Sequence, residues 1–439
     1  MADFSPQLLL DGLRAAHPAP PARYWVAFSG GLDSTVLLHA MAERRADLGA
    51  PLAAVHVNHN LQPQAAEWQR HCAEACAALD IPFECFSVTV RAADGESVEA
   101  AARESRYHAF GELLAADECL LTAHHQDDQL ETFLLQAFRG AGPHGLAAMP
   151  RQAPFGRGRL CRPLLDFSRA ELEAWARARG LEWLDDPSNA EARFDRNFLR
   201  LEILPALRQR WPQLAATVSR SARHCAEAAW LLDEMAALDL AETGVEGAIR
   251  VVALRRLDPP RQRNLVRHWL AWQGFPRPSE KKLEHVLSDV LDAAPDREPC
   301  VDWADVAVRR YRGMLYADRR LAAPRTGAWQ GGRFALGEGW GELERVAADT
   351  GLPEGEVEIR LRAGGERLRL PGRQHHHSVR KLFQEAGVLP WMRDALPFIH
   401  VNGELAAIGD LWLNADLLRP RGWRPQWRGR PRILEISPP

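Results

Sequence analysis

Between residue 24 and about residue 140 the chain alternates short apolar runs with amphipathic stretches, and this constrains its fold more than any other feature. The runs "YWVAF", "PLAAVHVNHN", "PFECFSVTV" and "ECLLTAHH" have the length and apolar content of strands. The segments from Ser34 to Arg44, "QAAEWQRHCAEACAALD", "SVEAAARESRYHAFGELLAA" and "DDQLETFLLQAF" have helical spacing. Strands alternating with helices predict an α/β domain: a parallel sheet covered by helices on both faces. Ligands of such sheets bind beyond the carboxyl ends of the strands. Polar residues recur at those ends: Ser29-Gly30-Gly31 after the first strand, His56 and His59 at the second, His124-His125 after the fourth. They are expected to share one rim, and so one site.

Ser29, Gly30, Gly31, Leu32, Asp33 and Ser34 join the first strand to the helix behind it. Glycine accepts backbone angles closed to other residues, and a tight strand-to-helix turn offers backbone N–H groups to an anion, phosphate above all. No lysine follows the glycines, which excludes the lysine-bearing phosphate loop of many nucleotidases, and the dinucleotide pattern GxGxxG is absent from this turn. The second motif is "AHHQDDQLET", residues 123–132. His124, Asp128 and Glu131 fall on one face if the helix begins early. A start near Asp127 instead places Asp127 and Asp128 at its positive end, where an acidic cap has a purely structural use. Two adjacent histidines on the ligand rim add a reason to expect chemistry. Magnesium brought by a nucleotide needs only one or two carboxylates, and Asp33 and Asp128 are the candidates. His375-His376-His377 lacks the spacing of a zinc site.

With 439 residues, two or three domains are expected. Past the alternation the pattern turns helical and Arg-rich, with one long helix over residues 213–240 and further helix to about 293. "REPCVDWADVAVRRYRGMLYADR" reads as two short strands, and 321–350, rich in Ala, Gly and Trp, as irregular connection. From Val357 strands return, with Asn402-Gly403 as a two-residue hairpin turn. The expected division is 1–215, a mainly helical 216–325, a linker 326–354 and a small α+β domain 355–439. Seven scattered cysteines suit reduced thiols in a cytoplasmic protein. No apolar stretch is long enough to span a bilayer, and "MADFSPQ" lacks the basic start of a signal peptide. The net charge of −3 does not by itself announce a nucleic-acid partner. Lysine occurs only at 281, 282 and 381, an arginine bias that genomic composition explains as well as phosphate binding does.

"SGGLDS", "HVNHNL", "EAAARESRYHAF", "AHHQDDQLETFLL", "RGAGPHGL" and "DDPSNAEARFDRNFLR" resemble, in order and spacing, the bacterial tRNA(Ile)-lysidine synthetases, which belong to the N-type ATP pyrophosphatases with a PP-loop. "HHSVRKLFQEAGVLPWMRDALPFIHVNGELAAIGDLW" resembles the C-terminal module of that family. The resemblance implies a doubly wound, mostly parallel sheet of the adenine nucleotide alpha hydrolase kind in 1–215, a tRNA-binding middle domain and a tRNA-binding C-terminal domain. It implies that ATP, with Mg2+, adenylates the carbonyl oxygen at carbon 2 of the wobble cytosine in tRNA(Ile) with anticodon CAU. The amine of L-lysine then attacks that carbon, and AMP leaves. Ser29 to Ser34 would hold the pyrophosphate and Asp33 the magnesium. Arg103 or Arg106 and His124 would meet the α-phosphate, while Asp128 and Glu131 would receive the lysine ammonium. Arg196 and Arg200 would lie near nucleotide and tRNA, and Arg373, Arg380 and Lys381 would contact tRNA phosphates. One departure is Gln62, where the family pattern leads one to expect Arg. A sulfur-inserting tRNA thiolase is the nearest rival, and it would need a reactive cysteine pair or an iron–sulfur site; no CxxC occurs. The sequence leaves a homodimer open.

Overall fold

The computed structural model describes residues 4–16, 19–58, 65–88, 98–185, 191–293, 297 and 299–435. His59 and Gln62, both named above, lie outside the described residues. The chain divides into two compact units, 1–231 and 232–439. Among the described residues no helix is long and apolar enough to cross a membrane.

The first unit is the expected α/β layer structure. Its strands are β1 (Arg23–Ala27), β2 (Leu52–Asn58), β3 (Phe83–Ser87), β4 (Glu118–Leu121), β5 (Gln152–Phe155) and β6 (Gly158–Cys161). Its first helices are α1 (Pro6–Ala16), α2 (Leu32–Glu43), α3 (Ala65–Ala78), α4 (Val98–Leu113), α5 (Gln126–Phe138), α6 (Pro143–Leu146) and α7 (Arg169–Ala178). The sheet runs β3-β2-β1-β4-β6-β5. All neighbours are parallel except the edge hairpin β5–β6, which the sequence reading did not anticipate. Residue alternation sorts the central strand between two cores. Tyr24, Val26 and Phe28 pack with α1 and α2 residues such as Leu9, Val36 and Leu37 on one face. Trp25 packs with Val55, Phe110, Leu120 and Leu160 on the other. The chain leaves β1 toward β2 on one side and later returns to lay β4 on the other side of β1. Strand order therefore reverses between β1 and β4, the crevice where sheets of this kind bind ligands.

Three short elements close the unit's helical edge: α8 (Asp195–Phe198), a π-helical turn Leu199–Ile203, and α9 (Leu204–Arg210). The long helix read over 213–240 spans Leu214–Thr243.

In the second unit the region read as mainly helical combines helix with sheet. Strands Gly244–Val245, Ala248–Arg250, Met314–Arg319, Val306–Tyr311 and Cys300–Trp303 form one antiparallel sheet in that order. Helices Pro259–Trp272 and Glu280–His285 contribute Leu265, Trp269 and Leu283 to a common core with Val306 and Val308 of the sheet. The expected linker 326–354 is a correction. It holds strands Arg333–Gly337 and Gly341–Gly351, and the longer one pairs along its length with Arg419–Arg428. Two features hid them. Gly337, Gly339 and Gly341 turn the chain at φ of +111°, +75° and +68°, so glycine interrupts the alternation. The partner strand also lies far along the chain, and long-range pairing leaves no local period to read. Trp329, Leu336, Trp340 and Leu343 from this stretch are buried with Phe383, Phe398 and Ile399. The Asn402-Gly403 turn is as expected: Phe398–Val401 and Glu404–Ile408 form an antiparallel hairpin around φ of +51° and +85°.

Candidate active site at the strand-order reversal

The loop after β1 is held by its own hydroxyls. Ser34 accepts the Ser29 N–H at 3.2 Å, lies 3.0 Å from the Ser29 hydroxyl, and donates to the Gly31 carbonyl at 3.0 Å. Ser34 is thus committed to bracing the turn, and the Gly31 N–H is also used within it, donating to the Ser29 hydroxyl at 3.4 Å. Gly30 has φ +83°, which requires glycine, and a Cβ there would press on the Cys72 sulfur at 3.1 Å. Gly31 caps α2, whose first-turn N–H groups have no acceptor within the helix. Asp33 stands in that first turn, favoured by the helix dipole. Its Oδ1 is buried without a hydrogen-bond partner.

Across the reversal, β4 delivers His124 and His125 at the start of α5. The helix begins at Gln126, so His124 precedes it and does not share its face with Asp128 and Glu131. His125, placed on the rim from sequence but given no role there, is the centre of the cluster. It is 2% exposed, and its Nε2 lies 3.6 Å from Asp33 Oδ2 and 3.4 Å from Asp128 Oδ2. Its Nδ1 lies 3.8 Å from Asp127 Oδ2. Burial alone would discharge this imidazole, but Asp128, Asp33 and Asp127 outweigh it and raise its pKa to about 9. The two carboxylates expected to hold magnesium therefore converge on one atom. Burial opposes ionisation of Asp128, yet the two histidines, the His125 N–H bonded at 3.0 Å and Arg196 hold its pKa below the ordinary value.

His124 takes the opposite state. Its Nδ1 pairs with the Thr122 hydroxyl at 2.9 Å. Burial, with the guanidiniums of Arg162, Arg103 and Arg196, outweighs Asp128 and lowers its pKa to about 4. Neighbouring imidazoles are thus neutral and charged at neutral pH, set apart by which carboxylates each faces.

Glu131 is 1% exposed, and its two oxygens are taken by Arg200, at 2.8 Å from Nε and 2.9 Å from Nη2. Burial pushes its pKa up, against the pull of Arg200. Arg200 also lies 3.6 Å from Asp128, and Arg196 bonds Thr132 at 3.0 Å and lies 3.6 Å from Glu131. The RFDRNFLR segment therefore docks onto α5, bringing both arginines to the carboxylates. Asp127, in contrast, ties elements together: it accepts from the Arg169 N–H at 2.8 Å and pairs with Arg208. Gln129 and Met149 exchange two 2.8 Å bonds, which pins the loop after α5.

On α4, Arg103 lies 5.0 Å over the Tyr107 ring. The Arg106 charge is felt by His56, whose Nδ1 lies 2.9 Å from the Phe28 carbonyl and braces the end of β1. In the second unit Arg380 is exposed, and Arg373 and Lys381 share Glu385 at 3.6 Å and 3.8 Å. Among the described residues no three His, Cys, Asp or Glu side chains are grouped to hold a metal by themselves. The seven cysteines are free thiols.

A parallel sheet with the glycine turn SGGLDS at its strand-order reversal is the architecture of a PP-loop protein, and a profile described as a PP-loop domain matches residues 10–207. Two more profiles, the TilS substrate binding domain and the TilS substrate C-terminal domain, match residues 250–316 and 357–427. The chain is 43% identical to the tRNA(Ile)-lysidine synthase of Methylococcus capsulatus over 424 residues, 93% of this chain and 96% of that protein. It is 44% identical to the tRNA(Ile)-lysidine synthase of Alkalilimnicola ehrlichii over 421 residues, 93% of this chain and 94% of the relative. Among solved structures it is similar to the U34-tRNA thiolase NcsA from Methanococcus maripaludis, at 15% identity and TM-score 0.42, over 51% of this chain and 78% of the other. The chain belongs to the tRNA(Ile)-lysidine synthase family.

Proposed function

We propose that the chain joins L-lysine to carbon 2 of the wobble cytidine in the CAU anticodon of tRNA(Ile), by way of an adenylated tRNA, releasing diphosphate and then AMP. Family membership supports this reading. The observation that carries it is the meeting, at the strand-order reversal, of an anion-binding turn with an ionised Asp128 and a neutral His124.

The first-turn N–H groups of α2 hold pyrophosphate, with Ser29 and Ser34 fixing the turn rather than binding through it. Asp33 and Asp128 suit Mg2+, since Asp33 Oδ1 is an orphaned acceptor and the two carboxylates are neighbours, each within 3.6 Å of His125 Nε2. Bound there, the ion would offset negative charge on the leaving pyrophosphate. His124, with Nδ1 on Thr122, turns Nε2 to the α-phosphate, where Arg103 and Arg106 add positive field. Lysine attacks as a neutral amine. Asp128 receives its ammonium, and the Arg196 and Arg200 guanidiniums beside that carboxylate disfavour the charged form, which helps the proton pass to solvent water. Glu131, occupied by Arg200, positions that arginine instead of binding lysine. Arg196 and Arg200 also meet the anticodon strand, while Arg373, Arg380 and Lys381 meet phosphates elsewhere on the tRNA.

The test is incorporation of labelled lysine into a tRNA(Ile) transcript with anticodon CAU. ATP-dependent label that is lost when the wobble cytidine is replaced is the expected result. Label without ATP, or none with it, refutes the reading.

A further inference from the structure

Arg162 directly follows β6 and is 8% exposed. A guanidinium cannot shed its proton to escape burial, so a buried arginine ordinarily pairs with a carboxylate. This one does not. Its Nη1 donates to the Pro150 carbonyl at 2.7 Å, and its Nε is buried with no partner. Among the described residues no carboxylate lies within ion-pair distance of it, nor of Arg103. Both cations gather on Tyr107: Arg103 lies over the ring, and Arg162 interacts with its hydroxyl. The surroundings add positive charge, since Arg162 and Arg103 both act on His124 and Arg196 completes the set. Arg103 is exposed and solvated, so the uncompensated cation is Arg162. A buried guanidinium without counter-charge, beside a second cation on one aromatic ring in a ligand crevice, offers a ready partner to an incoming anion.

The sheet fixes where that anion lies. β6 pairs with β4 on the side away from β1, with Leu121 beside Cys161, and the Thr122 N–H bonds the Cys161 carbonyl at 3.0 Å. The turn after β1, His124 after β4 and Arg162 after β6 therefore follow in a row. At about 4.8 Å per strand, the backbone at Arg162 stands about 10 Å from that of the turn after β1. A phosphate one step along from any bound at the turn would lie on the Arg162 side of that row.

We propose that Arg162 and Arg103, gathered on Tyr107, form a second phosphate-binding subsite beside His124. The inference rests on the nucleotide-activating reading above. Its ligand is a phosphate oxygen from one of two sources, the nucleotide α-phosphate or the RNA backbone next to the activated base. The row of strands brings both past this point.

The experiment uses the full chain and the variants Arg162→Met, which keeps the apolar stem, and Arg162→Lys, which keeps a charge but no fork. Circular dichroism checks folding. AMP and adenosine are titrated calorimetrically, and a tRNA(Ile) transcript is titrated across a salt series. If the ligand is the nucleotide phosphate, Arg162→Met binds AMP at least tenfold more weakly while adenosine is unchanged. If it is the RNA phosphate, tRNA binding weakens and the log–log salt slope becomes shallower by about one. Arg162→Lys falls between in either case, and it decides the matter if Arg162→Met does not fold. Unchanged AMP and tRNA binding in the folded variants overturns the proposal and leaves Arg162 as a brace for Pro150, whatever happens to thermal stability. Lysine transfer by the unaltered chain is scored separately, so failure of the parent reading is distinguishable.

Discussion

His125 makes the electrostatics of the site measurable. Replacing it with glutamine removes a buried imidazolium that faces Asp33, Asp127 and Asp128. Its pKa stands at about 9 in the fold against an ordinary 6.5. At about 1.4 kcal/mol per pH unit, that difference is worth about 3 kcal/mol to the first unit. The sign follows from proton binding. Between pH 6.5 and 9 the folded chain holds this proton and the unfolded chain does not, so stability falls as pH rises. The contribution is complete below pH 6.5 and lost on passing through pH 9. Pulse proteolysis in urea, scoring fragments of residues 1–231, is therefore expected to show the native chain losing about 3 kcal/mol over that window, with a slope near −1.4 kcal/mol per pH unit. His125→Gln is expected to start less stable and to run flat by comparison. Parallel slopes in the two proteins, or an imidazole that titrates near pH 6.5 by NMR, would refute the reasoning.

Asp33→Ala is expected to abolish diphosphate release with the circular dichroism spectrum unchanged, because its side chain faces the crevice and one oxygen has no internal partner; near-native turnover would remove it from metal binding. Asp128→Asn is expected to slow lysine transfer more than adenylation, whereas Glu131→Gln, which breaks the Arg200 fork, slows both; single-turnover measurement of intermediate and product separates them. Loss of lysine transfer alone in Glu131→Gln would return that carboxylate to lysine binding. Charge reversal at Arg380 and Lys381 is expected to weaken tRNA binding and make the salt slope shallower by about two, with ATP affinity unchanged; an unaltered slope would assign the patch another use. Burial raises the Cys72 and Cys76 thiols to about 12, so an alkylating reagent at pH 8 is expected to label exposed Cys300 first, as peptide mass spectrometry would reveal.

The alternation of runs from Tyr24 to Phe138 was enough to predict a covered parallel sheet and to place SGGLDS and the two histidines on one rim. Those are local properties: hydrophobic period, glycine at a turn, polar residues at strand ends. Gly30 was readable for the same reason, since its backbone angle belongs to the turn itself. What each group does on the rim was not local. Ser34 reads as a phosphate donor until the turn folds and commits its hydroxyl to Ser29 and Gly31. Glu131 reads as free to bind an ammonium until Arg200, 69 positions later, takes both its oxygens. Arg162 follows a four-residue strand with no periodic signal, and only the β4–β6 pairing sets it beside His124. The strands of 333–351 likewise needed a partner at 419–428 to exist at all. Sequence alone determined which chemical groups reach the rim, because chain geometry over a few residues decides that. Tertiary structure decided which are charged, occupied or free, because burial and pairing depend on neighbours that the chain brings together only on folding.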